Sequence, residues 1–260
     1  MKKDSKKYNI NALKFGQILG IHVSSTQLSE VLPRVEGLIS HNQKFYILTP
    51  NPEIILMAQR NENLKNALNG TDLAIPDGVG LKIAMPGLNI IKGRELFDQL
   101  VKLAAGKGWR VFLLGGLGNE AELTARKLII LNLKLKIEYA RGPRLDKDGE
   151  PVTEIDKKLL KDAIDRINKY SPQLLFVAFG NPNQEIWVHD NYSKLSIGGA
   201  MAVGGAFRYV AGQVCLPPKW MADIGLEWLW RLFTEPRRVG RIFNAVIVFP
   251  VKLFLYKLSR

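Results

Sequence analysis

The sequence predicts an α/β fold: a mostly parallel sheet with helices on both faces, followed by a C-terminal helical appendage. Three observations carry this. Short apolar runs rich in Val, Ile, Leu and Phe alternate with longer amphipathic stretches along most of the chain, the pattern of βα units. The 260 residues are 47% hydrophobic, enough to bury one large core. Near Leu216 the composition shifts: from Pro217 to Arg260 eight Lys/Arg stand against three Asp/Glu, with Trp220, Trp228 and Trp230 interleaved. The expected organisation is a loose basic start over residues 1–12, one α/β domain over 13–215 and a basic amphipathic appendage over 216–260.

Taken in order, the strand candidates are Phe15–Val23, Lys44–Thr49, Asp72–Ile75, Arg110–Leu114, Lys136–Tyr139, Leu174–Phe179 and Ala200–Val203. Helices are expected to begin near Thr26, Asn51, Gly93, Asn119, Val152 and Asn181. The stretch Gly142 to Pro151 is rich in Gly, Pro and Asp and reads as a loop. The longest apolar run, Ile242 to Tyr256, is broken by Pro250 and Lys252 and falls short of the ~20 residues of a spanning helix.

Composition narrows the chemistry. A formal charge of +13 draws anions, whether nucleic acid, nucleotide diphosphates or an anionic membrane. One cysteine, Cys215, excludes an internal disulfide, and Met1-Lys2-Lys3-Asp4-Ser5 lacks the apolar core of a signal peptide, so a reducing, cytoplasmic setting is expected. His22, His41 and His189 have no ligand spacing with one another or with Cys215, which argues against zinc. Neither a Gly-x-Ser-x-Gly elbow nor a P-loop occurs. Asp146-Lys147-Asp148 has the D-x-D form of a metal-diphosphate motif but sits in the Gly/Pro loop, where a solvated turn is favoured; no metal and no cofactor are expected.

Several constellations remain. Thr49-Pro50-Asn51-Pro52-Glu53 and Gly180-Asn181-Pro182-Asn183-Gln184-Glu185 both end an apolar strand in Asn-Pro, with Asn suited to the N-cap and Pro to the first helical position. Each puts a helix N-terminus at the carboxyl edge of the sheet, where α/β proteins bind ligands. Simple capping, with Gln184 closing a capping box on Asn181, explains them equally well. Gly115-Gly116-Leu117-Gly118 follows a strand and could admit a diphosphate, but it is not the dinucleotide fingerprint because the third glycine is missing. Asp77, in Ile75-Pro76-Asp77-Gly78, follows a short strand. It could accept a proton from a hydroxyl nucleophile, while local sequence alone favours a turn or cap. In the tail, Arg231, Arg237, Arg238 and Arg241 could serve a solvated face, nucleic acid, a membrane or a diphosphate. Nucleic acid fits least, since no binding module accompanies the charge.

From about Ile18 to the end, these segments in this order resemble the WecG/TagA/CpsF family of bacterial glycosyltransferases. The resemblance rests on Thr49 through Glu53, Asp72 through Gly80, Phe112 through Gly116, Gly180 through Glu185, Val203-Gly204-Gly205-Ala206-Phe207, Ala211-Gly212 and Pro217 through Arg241. It implies a Rossmann-like core that transfers N-acetylmannosamine or a relative from a UDP-sugar, with inversion and without metal, to a polyprenyl-diphosphate-linked sugar. It implies Asp77 as base, and Thr49, Asn51 and Gln184 as lining of the donor and acceptor pocket. It implies Arg231, Arg238 and Arg241 as arginines that close over the site and hold the diphosphate. The glycines Gly115 and Gly116 and the cap Asn181 join the expected nucleotide-binding set. Partners expected are a UDP-sugar, a lipid-diphosphate acceptor and the anionic inner face of the cell membrane, where the chain would be peripheral; self-association stays open. The sequence departs from the family at Arg208, where an aspartate is usual after Gly-Gly-Ala-Phe, and at Ile90, where an arginine is usual; Lys92 or Arg94 are the candidates to replace it. A non-catalytic nucleotide- or lipid-diphosphate-binding protein of the same fold is the alternative these departures leave.

Overall fold

In a computed structural model, the protein is described over residues 14–146, 149–236 and 239–259. Six parallel strands form the sheet in the order β4-β3-β8-β7-β5-β6. They are β3 (Phe45–Leu48), β4 (Leu73–Ala74), β5 (Arg110–Gly115), β6 (Lys136–Ala140), β7 (Leu174–Ala178) and β8 (Gly199–Ala202). Every pairing among them is parallel, as the βα alternation requires. Tyr46, Leu48, Phe112, Leu114, Leu175 and Val177 face one core. Their neighbours Phe45, Ile47, Val111, Leu113, Leu174 and Phe176 face the other. Side chains alternate across a strand, so a sheet covered on both faces needs apolar residues at every position, and β3 and β7 are buried throughout.

Helices α1 (Leu28–Ser40), α5 (Gly93–Lys107), α6 (Glu120–Leu131) and α9 (Ala206–Val210) contribute to one face. The other face receives α2 (Pro52–Ala58), α3 (Glu62–Asn69), α4 (Leu81–Ala84), α7 (Glu154–Tyr170) and α8 (Asn183–Asn191). Three differences from expectation stand out. The first predicted strand is a hairpin outside the main sheet: β1 (Lys14–Ile18) and β2 (Ile21–Ser25) pair antiparallel. Leu19 and Gly20 turn it with φ of 50° and 76°, the positive values a two-residue hairpin turn needs. Asn69 and Gln59 pin that turn, donating to Gly20 O and Leu19 O at 3.0 Å each. Asn181 is not an N-cap: the Asn181–Pro182 peptide is cis and Pro182 takes the cap position of α8, so the expected capping box does not form.

The third difference lies at the C-terminal end. Beyond α10 (Lys219–Asp223) and α11 (Glu227–Thr234), α12 (Val239–Phe243), a π-helical stretch (Asn244–Val248) and α13 (Phe249–Leu258) run on as one helix. Pro250 lies inside this continuous helix, directly after the π-helical stretch, where the ordinary hydrogen-bond ladder is already interrupted. Val239–Leu258 is therefore, by length and composition, a helix long and apolar enough to cross a membrane, which the broken apolar run did not suggest. Phe249 and Leu253 are buried against the body, while Val239, Phe243, Ile247, Val251, Phe254 and Leu258 form an exposed stripe at steps of four and three residues, one helix face.

Candidate active site

Three loops at the carboxyl edge of the sheet are laced by backbone hydrogen bonds. Ile75 N donates to Leu48 O at 2.9 Å, Asp77 N to Pro50 O at 2.8 Å and Ile91 N to Pro76 O at 3.0 Å. This lacing brings Thr49, Asp77 and Gly93 together although Thr49 follows β3 while Asp77 and Gly93 lie in the connection after β4. Asp77 Oδ2 accepts from Gly93 N at 3.1 Å, so the carboxylate sits on the N-terminus of α5, where unpaired N–H groups favour negative charge. A β-carbon on Gly93 would stand 3.0 Å from Thr49 Oγ1 and 3.3 Å from Asp77 Oδ2, close enough to push both side chains by a few tenths of an ångström.

Burial pushes the Asp77 carboxyl above its ordinary range, and the nearby Glu227 adds to this. The Gly93 N–H, Arg231 and Arg94 pull the other way, and burial wins. A carboxylate whose proton affinity is raised is a better base near neutral pH.

Asp77 lines a cavity of about 380 Å³ that Asn51, Lys92, Glu227, Arg231 and Arg241 also line. That size is in the range of small-molecule sites. Asn51 caps α2, its Oδ1 accepting from Ile54 N at 2.9 Å with Pro52 in the first turn, as its sequence setting predicts. Arg241 from α12 pairs with Glu53 in the first turn of α2. Arg231 from α11 and Arg94 from α5 lie over the ring of Tyr209, 5.8 and 5.6 Å from its centroid. Lys92 and Arg94 both reach Glu227 at the start of α11. Apolar walls come from Ile83, Ile90, Trp228 and Val246. The C-terminal helices thus close one side of the cavity. Arg238 lies outside the described residues.

Other predicted residues fall elsewhere on the edge. Gln184, 3% exposed, ties β7 to β8. Its Oε1 accepts from Gly180 N at 3.2 Å and Gly204 N at 3.1 Å, and its Nε2 donates to Asn181 Oδ1 at 2.8 Å and Glu185 Oε1 at 2.7 Å. Gln184 and Asn181 do not line the cavity. Gly115 and Gly116 have a packing reason: φ is 106° and 77°, and a β-carbon on Gly115 would lie 2.7 Å from Ala178 O. Their turn is already occupied by a carboxylate, since Glu120 Oε2 accepts from Leu117 N at 2.8 Å. The loops after β5 and β7 lead to opposite sides of the sheet order, the geometry of a ligand crevice.

Arg208, found where the resemblance led to an aspartate being expected, turns to two carboxylates. It pairs with buried Glu120 at 3.5 Å and with Glu235 at 3.2 Å, joining α6 and α9 to the end of α11. Asp146 Oδ1 accepts from Glu150 N at 3.0 Å, a closed turn, while Lys147 and Asp148 lie outside the described residues. Among the described residues no three His, Cys, Asp or Glu side chains gather at metal-ligand spacing. A separate cavity of about 350 Å³ beside Trp187, Asp190 and Lys194 is lined by none of the predicted residues.

Sequence reasoning missed Glu227, Glu53, Tyr209 and Glu185. Glu185 is 2% exposed, its Oε2 has no hydrogen-bond partner among the described residues, and burial lifts it to about 7. Local sequence carries no signal for Glu227, whose partners Lys92 and Arg94 are more than 130 residues away.

A parallel α/β sheet thus sets a shielded carboxylate among clustered cations at its carboxyl edge. Residues 16–260 match the model of the Glycosyl transferase WecG/TagA/CpsF family, and the chain belongs to that family. Among its relatives is the N-acetylglucosaminyldiphosphoundecaprenol N-acetyl-beta-D-mannosaminyltransferase of Staphylococcus aureus strain COL. It is 25% identical over 252 residues, which span 94% of this chain and 91% of the relative. The protein of the same name from strain MW2 matches with the same identity and extent.

Proposed function

We propose that the chain is an inverting, metal-independent glycosyltransferase that moves N-acetylmannosamine or a related hexose from a UDP-sugar to a polyprenyl-diphosphate-linked sugar. One observation carries this reading: Asp77, with raised proton affinity and a fixed carboxylate, lines the cavity together with Arg231, Arg241 and Lys92. Asp77 takes the proton of an acceptor hydroxyl as that oxygen bonds to the anomeric carbon. The bond from that carbon to the UDP oxygen breaks, and UDP leaves with the electron pair, steadied by the cations. The acceptor class is supported by the Staphylococcus aureus relatives, whose name specifies an N-acetylglucosaminyl-diphosphoundecaprenol substrate.

Residues 216–260 act in this reading as an appendage that completes the cavity and rests on the inner face of the membrane. Phe249 and Leu253 hold its last helix on the body, and the apolar stripe from Val239 to Leu258 faces outward with Lys252 and Lys257 nearby in sequence. A helix seated on the protein along one side and apolar on the other suits an interface. Trp220 at 62% and Phe233 at 75% exposure extend the apolar surface.

The test is release of UDP from a panel of UDP-sugars, N-acetylmannosamine included, with a short-chain lipid-diphosphate-linked N-acetylglucosamine as acceptor. Transfer of one sugar with acceptor-dependent UDP release is expected. Silence across the panel from protein that binds UDP would replace this reading with a non-catalytic binding protein.

A further inference from the structure

The first turn of α5 presents Lys92, Gly93 and Arg94, and the N–H that holds Asp77 belongs to the middle one. Both flanking cations are committed to a single carboxylate from another part of the chain. Lys92 Nζ donates to Glu227 Oε1 at 3.1 Å, and Arg94 Nη2 reaches the same oxygen in a still shorter contact. The three side chains are 27%, 22% and 20% exposed, so the cluster is partly shielded from water. Burial alone would raise Glu227, yet Arg94 and Lys92 hold it below the ordinary carboxylate range. It is therefore ionised beside Asp77 and lines the same cavity.

We propose that Glu227 is a positioning residue for Asp77: it anchors Lys92 and Arg94 on either side of the Gly93 N–H and cancels cations that would otherwise weaken the base. The inference rests on the reading of Asp77 as base. Two effects reach Asp77 through one residue. The first is geometric, because a first helical turn tethered at both neighbours of Gly93 keeps the donor aimed at Oδ2. The second is electrostatic, because Glu227 raises the proton affinity of Asp77 while Arg94 and Arg231 lower it.

The groups facing Asp77 come from several elements. The α5 turn supplies the Gly93 N–H, Lys92 and Arg94, and α11 supplies Glu227 and Arg231. On the cavity wall, α2 adds Glu53 and α12 adds Arg241, which pair with each other. Neutralising Glu227 therefore leaves Lys92 and Arg94 without their shared counter-charge. Because Glu227 belongs to the C-terminal helices, the base reaches full strength only when those helices are seated on the core.

The experiment is a kcat profile from about pH 4.5 to 9 with saturating donor and a soluble short-chain acceptor, on the full chain. Nearby charges move a carboxylate by about one to three pH units. In Glu227→Gln the acid limb should move down by about one unit and the plateau should fall roughly tenfold, with donor KM changed less than kcat. Glu227→Asp, which keeps the charge, should recover the wild-type limb. So should Arg94→Met combined with Glu227→Gln, which removes opposing charges together. If Glu227→Gln does not fold, Arg94→Met alone serves, with the limb expected to move up. A limb that stays at its wild-type position in Glu227→Gln or in Arg94→Met alone overturns the proposal, whether or not the rate falls. Asp77→Asn is measured alongside: a wild-type rate there would overturn the base reading itself, independently of Glu227.

Discussion

Replacing Glu185 with Gln should make the protein more stable, and only above mildly acidic pH. The side chain is buried at the start of α8, with Oε1 bound to Gln184 Nε2 at 2.7 Å and Oε2 unpartnered among the described residues. Burial raises it from 4.5 to about 7; the Gln184 hydrogen bond and Arg241 oppose this, and Glu53 reinforces it. Between those two values the folded protein holds a proton that the unfolded chain has released. The unfolded state then binds fewer protons, so stability falls as pH rises through this window and levels off above about 7. At ~1.4 kcal/mol per pH unit, the ionised side chain costs ~3 kcal/mol at pH 8. Gln imitates the neutral acid and removes that cost. Urea unfolding of wild type and Glu185→Gln at several pH values between 4.5 and 8 measures it. The difference in stability should grow with pH by ~3 kcal/mol and then stay constant. A difference independent of pH would refute the assignment of a shielded, proton-holding Glu185.

Three further outcomes follow from the geometry. Gly93→Ala puts a methyl 3.0 Å from Thr49 Oγ1 and 3.3 Å from Asp77 Oδ2; kcat should fall by roughly 10- to 100-fold while thermal unfolding barely moves. Arg208→Asp sets a new carboxylate against Glu120 and Glu235 and should destabilise the fold by about 2 to 4 kcal/mol, seen as a lower Tm. Ile247→Ser, Val251→Ser and Phe254→Ser together remove half-exposed apolar groups from the outer stripe. Sedimentation with anionic vesicles should show partitioning reduced by roughly 100-fold, with unchanged turnover of a soluble acceptor.

The parts of this molecule that were legible in the sequence are those whose physics is local. The runs of β3 and β7, and of β5 beyond Arg110, are apolar because both faces of the sheet are covered, and the cap at Asn51 with Pro52 behind it needs only four residues to be recognised. The hairpin was hidden because its turn uses Leu19 at positive φ, a conformation that a leucine does not advertise. At Asn181 the same dipeptide that caps α2 does something else, since Pro182 rather than Asn181 takes the cap of α8. The last helix was hidden by Pro250 and Lys252, which interrupt the apolar run without interrupting the backbone. Asp77 was visible as a carboxylate after a strand, but its hold on Gly93 is tertiary. Glu227 is the clearest case: what matters about it is the pair of cations that folding delivers.

As the proposed base, Asp77 removes the acceptor proton. Its most direct test is Asp77→Asn, measured as single-sugar transfer at saturating donor and acceptor together with UDP binding by calorimetry. With Asp77 as the base, UDP affinity should stay within a few-fold of wild type while the rate falls by ~10²- to 10⁴-fold. A mutant that turns over at the wild-type rate would contradict it.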